Sequence, residues 1–203
     1  MRVVLATGNL GKLREFADLL GPAGFEFEPL SAFGVESAAE TGRTFVDNAL
    51  LKARHAAART GLPAMADDSG LEVDALDGAP GVFSARYAAA PGSEAAPGDA
   101  ANIAKLLQEM QGVAPAARGA RFRCAIVLVR HADDPTPLIG EGVWPGRILE
   151  QPRGSGGFGY DPVFEDPASG RSAAELAPAE KHARSHRGAA LRALLARWSA
   201  AGS

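Results

Sequence analysis

"ARFRCAIVLVRHADDPTPLIGEGVWPGRIL", residues 120–149, is the stretch that decides the sheet. Two strand-like runs flank a Pro-containing turn, which reads as a long antiparallel pair. Elsewhere short apolar strands interleave with helical patterns, so the chain reads as an α/β domain with a mixed sheet. Cys124 lies inside the first run's apolar alternation. It is the only cysteine, so no internal disulfide forms and a buried, inert thiol is expected.

Upstream, "MRVVLATGNLGKLREFADLL" (1–20) gives a strand, a polar glycine turn and a helix with Leu13, Phe16, Ala17 and Leu20 at helical spacing. "TGRTFVDNALLKARHAAART" (41–60) predicts a second helix. Thr44 is its N-cap and Asp47 lies three residues on, with Val46, Leu50, Ala53 and Ala57 along one face. "PAMA" and "LEVDAL" read as extended segments flanking a DDSG turn, residues 67–70, in a hairpin-like unit. A further helix is marked by Ile103, Leu106, Leu107 and Met110. Another carries Leu191, Leu194, Leu195 and Trp198, with Ser185 as its cap.

With 203 residues, 46% apolar and 22% charged, the chain matches an ordinary globular protein and is long enough to bury a sizeable core. It shows no repeat and no long linker, so one domain spanning 1–203 is expected. The formal net charge of -3 gives no overall basic field, which argues against nucleic acid as a partner. The first apolar run stops at Thr7, too early for a signal peptide or a membrane span. A cytoplasmic protein without membrane contact is expected.

Four stretches carry chemistry. "TGNLGK" (7–12) joins a strand to a helix, where free amides and the helix dipole favour phosphate, although its spacing is not that of a P-loop. Asp67 and Asp68 stand side by side, so positive charge must offset their repulsion. A hard divalent cation held by one of them with Glu40 would do so. Asp47 is explained by its place in the first helical turn. "GGFGYDP" (156–162) sets Phe158 and Tyr160 among glycines that let backbone approach a flat ligand, or else anchor a loop on the core. "EKHARSHRG" (180–188) gathers Lys181, His182, Arg184, His186 and Arg187. Positive charge in the first turn of the last helix is unfavourable unless an acceptor compensates it. His55 and His131 have no zinc-ligand spacing.

TGNLGK, ADDSG, GGFGYDP and SHRG occur in this order, together with "ETG.TF", "NALLKARHAA", "GAPGVFSARYA", "WPG" and "AAEL". The chain thereby resembles the inosine triphosphate pyrophosphatase family from Val4 to about Leu195, and looks closest to its bacterial dITP/XTP pyrophosphatases. The resemblance implies an elongated mixed β-sheet flanked by helices, two lobes with a central nucleotide cleft, and a homodimer. It also implies Mg²⁺-dependent hydrolysis of non-standard purine nucleoside triphosphates (dITP, ITP, XTP) to the monophosphate and pyrophosphate. By matching positions, Thr7, Gly8, Asn9, Leu10, Gly11 and Lys12 form the triphosphate loop. Glu40 and Asp68 match the metal site, and Asp68 also the proton acceptor. Ser69 matches a substrate contact, Phe158, Gly159, Tyr160 and Asp161 the base loop, and Lys181, His186 and Arg187 the other nucleotide contacts. Asp47 stands where many members have Glu, and the loop 88–102 looks slightly longer than usual. Rival readings are a pyrophosphatase for another base, a non-catalytic nucleotide sensor and, last, a nucleic-acid binder.

Overall fold

The structure, a computed structural model, describes residues 1–7, 12, 16–17, 20–90 and 97–201. Seven strands form one sheet: β1 (Arg2–Leu5), β2 (Glu26–Pro29), β3 (Ala64–Val73), β4 (Gly119–Val129), β5 (Leu138–Ile148), β6 (Phe164–Asp166) and β7 (Arg171–Ser172). Their order is β2-β1-β3-β4-β5-β6-β7. β1 pairs in parallel with β2 and β3, while β5–β6 and β6–β7 are antiparallel. β4 and β5 are neighbours joined by residues 130–137, too short a connection for a parallel crossover, so they too run antiparallel. The mixed sheet expected from residues 120–149 is present.

The α-helices among the described residues include α1 (Phe45–Thr60), α2 (Asp99–Glu109), α3 (Pro178–Arg184) and α4 (His186–Ala201). α1 begins as the sequence predicts. Thr44 accepts from the Asp47 amide, the Asp47 carboxylate accepts from the Thr44 amide, and Gly61 closes the helix with φ 69°. Its buried stripe is Asn48, Ala49, Ala53, Ala56 and Ala57, with Val46 and Leu50 only partly covered. Small side chains let the helix lie close to the sheet, and they also carry one polar residue, Asn48, inward.

The chain divides into two compact units. The first takes residues 1–68, 124–142 and 187–203. Strand alternation there builds a core on each sheet face, because successive side chains point oppositely. Val3, Leu5, Met65, Cys124, Ile126 and Leu128 pack with Phe16, Leu20 and, from α4, Ala190, Leu191 and Leu194. Val4, Ala6, Ala64, Ala66, Ala125, Val127 and Val129 pack with the alanines of α1. Cys124 is free and buried. The second unit, residues 69–123 and 143–186, has its own core around Leu71, Leu106, Phe122, Trp144, Tyr160 and Phe164.

One element departs from expectation. Residues 64–73 are a single strand, and Asp67, Asp68, Ser69 and Gly70 lie within it instead of turning a hairpin. Asp, Ser and Gly favour turns by bonding their own exposed backbone. Here both carboxylates are buried, at 2% and 7% exposure, and their partners come from distant segments that local turn chemistry does not register.

Candidate active site

Because side chains alternate along β3, Asp67 and Asp68 leave the strand on opposite faces. Asp68 follows Ala64 and Ala66 onto the face covered by α1. There Asn48 donates its amide to Asp68 Oδ2 at 3.0 Å, and Lys52 Nζ donates to Oδ1 at 3.2 Å. Asn48 and Lys52 are one helical turn apart, so both reach the same strand residue. The Lys52 ammonium is shared with Glu40, 2.7 Å away.

Gly42 fixes the segment that carries Glu40. Its N–H donates to Asn48 Oδ1 at 2.8 Å, and a Cβ there would sit 2.6 Å from Asp47 Cβ and 2.7 Å from Asn48 Oδ1. Only glycine allows that approach. Asn48 thus orients Asp68 with one end and tethers the Glu40 segment with the other.

Asp67 follows Met65 onto the face covered by α4 and the residues around Phe16 and Leu20. Lys12 donates to Asp67 Oδ2 at 2.6 Å. Burial by itself would raise the Asp67 pKa, but the charges of Lys12, Arg187 and Lys52 prevail and hold it well below the usual carboxylate range. Asp67 is therefore an acceptor for the positive charge that Arg187 brings to the first turn of α4.

Asp68 moves the other way. Burial is the main cause, Glu40 adds to it, and Lys52 and Asn48 only partly oppose them, so its pKa is raised. For Lys52, burial works against the charge, yet Asp68, Asp67 and Glu40 outweigh it and raise the pKa. The Lys52 charge acts on both carboxylates, and their pKa values move in opposite directions. The two side chains leave the strand on opposite faces, where Lys12 donates to Asp67 and Lys52 to Asp68.

The second unit holds the other candidate residues. Phe158 exposes 49% of its surface, and the Lys181 ammonium lies 5.2 Å from its ring centroid. Lys181 also pairs with Asp161, whose Oδ2 accepts the Phe158 N–H at 2.8 Å. Gly157, with φ +75°, leaves room for this arrangement, since a Cβ there would collide with Asp161 Oδ2. Gly159 N–H donates to Asp99 Oδ2 at 2.6 Å. Tyr160 is buried and its hydroxyl donates to the Ser84 carbonyl at 2.8 Å, so its ring is an anchor and Phe158 presents the exposed face. His186, also buried, stacks on Phe122 at 4.8 Å between ring centroids and 17° between planes.

Thr7 donates its N–H to the Leu5 carbonyl at 2.9 Å, and Ser69 follows Asp68 along β3. Gly8, Asn9, Leu10 and Gly11 lie outside the described residues. Asp47 is spent on the α1 cap. The residues that sequence reasoning missed are Asn48, Lys52 and Asp99. The spacing of Asn48 and Lys52 on α1 was a visible signal, whereas nothing near Asp99 in sequence points to Gly159. Among the described residues no group of three or more His, Cys, Asp or Glu gathers as a metal cluster. No helix there is long and apolar enough to cross a membrane.

The chain is 58% identical over 197 residues to the dITP/XTP pyrophosphatase of Thioalkalivibrio sulfidiphilus, covering 97% of this chain and 98% of that one. It is 58% identical over 194 residues to the dITP/XTP pyrophosphatase of Yersinia pseudotuberculosis, covering 96% of each. Among solved structures, a HAM1 protein from Coxiella burnetii superposes with a TM-score of 0.90 at 50% identity, covering 98% of both chains. The model of the Ham1 family matches residues 3–197, and the chain belongs to that family.

Proposed function

We propose that this protein hydrolyses non-standard purine nucleoside triphosphates, dITP, ITP and XTP, to the nucleoside monophosphate and pyrophosphate. In that role it removes them from the nucleotide pool before they enter DNA or RNA. The names of its relatives support the substrate class. The observation that carries the chemistry is Asp68: a buried carboxylate of raised pKa, oriented by Asn48 and flanked by Lys52 and Glu40.

A divalent cation fits the donor set. The convergence of Glu40 and Asp68 on one ammonium supports this reading, and two carboxylates suit Mg²⁺, which keeps most of its shell for water and phosphate. Glu40 and Asp68 would hold it, and the ion would supply charge neutralisation for the triphosphate.

Asp68 takes the proton from the attacking water. Its raised pKa improves proton affinity, and Asn48 keeps one oxygen in a fixed direction. Lys52 adds positive charge beside that carboxylate, lowering the cost of bringing a polyanion near it. Lys12, bonded to Asp67, and Arg187, whose charge acts on Asp67, serve the phosphates as part of the proposed triphosphate site.

In the second unit, Phe158 is the stacking surface for the base, and Lys181 and His186 are the donors to the 6-oxo group. Adenine would leave such donors unpaired, and rejection on that ground reaches on the order of 10⁴-fold. The protein acts as a homodimer in the cytoplasm.

A substrate panel of ITP, dITP, XTP, ATP and GTP with Mg²⁺, with products identified, tests this reading. Pyrophosphate released from the oxo purines, and little turnover of ATP, is expected. Equal turnover of ATP, or orthophosphate as first product, refutes it.

A further inference from the structure

The exposed Phe158 ring stands on a loop whose backbone is held from several sides. Asp161, on the same loop, takes the Phe158 N–H, and Tyr160 sends its hydroxyl to the Ser84 carbonyl. Ser84 Oγ in turn accepts the Leu71 N–H at 2.9 Å, so this side of the loop is tied into β3. The remaining tether comes from α2, where Asp99 Oδ2 accepts the Gly159 N–H at 2.6 Å. Asp99 opens that helix, a place where an acid is favourable without any further role. Its carboxylate nevertheless reaches a glycine sixty positions along the chain.

The rest of α2 is anchored as well, so Asp99 is held on a fixed support. Asn102 accepts the Ala88 N–H at 2.8 Å and donates to the Ala85 carbonyl at 3.2 Å, and Lys105 donates to the Tyr87 carbonyl at 2.7 Å. Gly159 has φ +61° and nothing within 4 Å of where a Cβ would be, so local packing does not fix its conformation. The hydrogen bond from its amide to Asp99 restrains this position.

We propose that Asp99 is a positioning residue for base recognition: by holding the Gly159 amide it fixes the backbone beneath Phe158 and sets the ring as a stacking platform before the nucleotide arrives. The inference rests on the base-stacking part of the proposed function. Pre-setting the platform removes an ordering cost from binding, so its loss falls on KM and leaves kcat nearly unchanged. A residue that only stabilised α2 would shift the melting temperature and leave KM alone.

The first test needs no substrate. In the unliganded protein, NMR-detected hydrogen exchange at the Gly159 amide is expected to accelerate about tenfold or more in Asp99→Ala, with Asp99→Asn, which keeps an acceptor, closer to wild type. Unchanged exchange in Asp99→Ala overturns the inference whatever the enzyme hydrolyses. The second test is steady-state hydrolysis of ITP. KM should rise by about five- to tenfold in Asp99→Ala with kcat within about twofold, and Asp99→Asn should restore most of the loss. In a Phe158→Ala background the same substitution should change KM little, because the ring it positions is gone. An Asp99→Ala KM equal to wild type, or the same KM increase with and without the Phe158 ring, overturns it. Faster exchange in a protein that leaves ITP intact would count against the proposed substrate and in favour of the Asp99 tether.

Discussion

The two faces of β3 use the same residue type for opposite ends. On the α4 face, Asp67 is buried among positive charges that hold its pKa down, and it accepts a hydrogen bond from Lys12. On the α1 face, Asp68 meets one lysine, one amide and a second carboxylate, and burial leaves its pKa raised. A peptide bond joins these residues, yet the pleat of the strand gives them separate neighbours. Charge placement along a strand is therefore judged face by face, and adjacency in sequence is a poor guide to repulsion.

The largest expected effect lies on the α1 face. Asp68→Asn should lower kcat for ITP by about 10²–10⁴-fold, the range expected for loss of a general base, without loss of folded stability. Urea unfolding beside the kinetics checks this. If kcat survives, the two faces do not differ in the way described.

Next comes the α4 face. Asp67→Asn removes the negative charge that Lys12 bonds and that the Arg187 charge acts on, and about 3 kcal/mol of stability should be lost, read from the urea midpoint. A stable Asp67→Asn protein would mean that solvent, not Asp67, compensates those cations.

A smaller effect follows from the helix that serves Asp68 alone. Thr44→Ala removes the hydroxyl that caps α1, which carries Asn48 and Lys52, and should cost about 1 kcal/mol in urea unfolding. Because the cap lies remote from Asp67, its effect should add to that of Asp67→Asn.

The smallest effect is the pH dependence, measured in EDTA so that no metal contributes. Asp67 has a depressed pKa in the folded protein. Its stabilising contribution is present above the unfolded value of about 3.9 and is lost as pH falls toward the folded value. Asp68 has a raised pKa. Its contribution is present below about pH 4 and is lost as pH rises through the folded value. Stability of Asp67→Asn relative to wild type should therefore improve toward acid, and that of Asp68→Asn should improve toward neutral pH. Urea midpoints across the acid range give both slopes, and equal slopes would contradict the separation.

Much of this was legible in the chain. The Thr44–Asp47 cap and the paired runs of residues 120–149 depend on neighbours in sequence, and both appear as read. The DDSG segment was misread because its burial depends on Lys12, Lys52 and Arg187, whose positions along the chain give no local cue to their meeting at β3. Asn48 and Lys52 were visible as a helical pair. Their target was not, because it takes the packing of α1 on the sheet to aim them at Asp68. The resemblance implied Glu40 and Asp68 as a set, and in the structure both pair with Lys52.

The most direct test is a site-resolved titration of the two carboxyl groups by carbon NMR in protein labelled at the aspartate side chains. The account predicts two separate curves, with Asp67 ionised to pH values below the ordinary carboxylate range and Asp68 taking up its proton at higher pH than an ordinary aspartate. Coincident curves, a reversed order, or two-step titration of both groups as a coupled pair would contradict it.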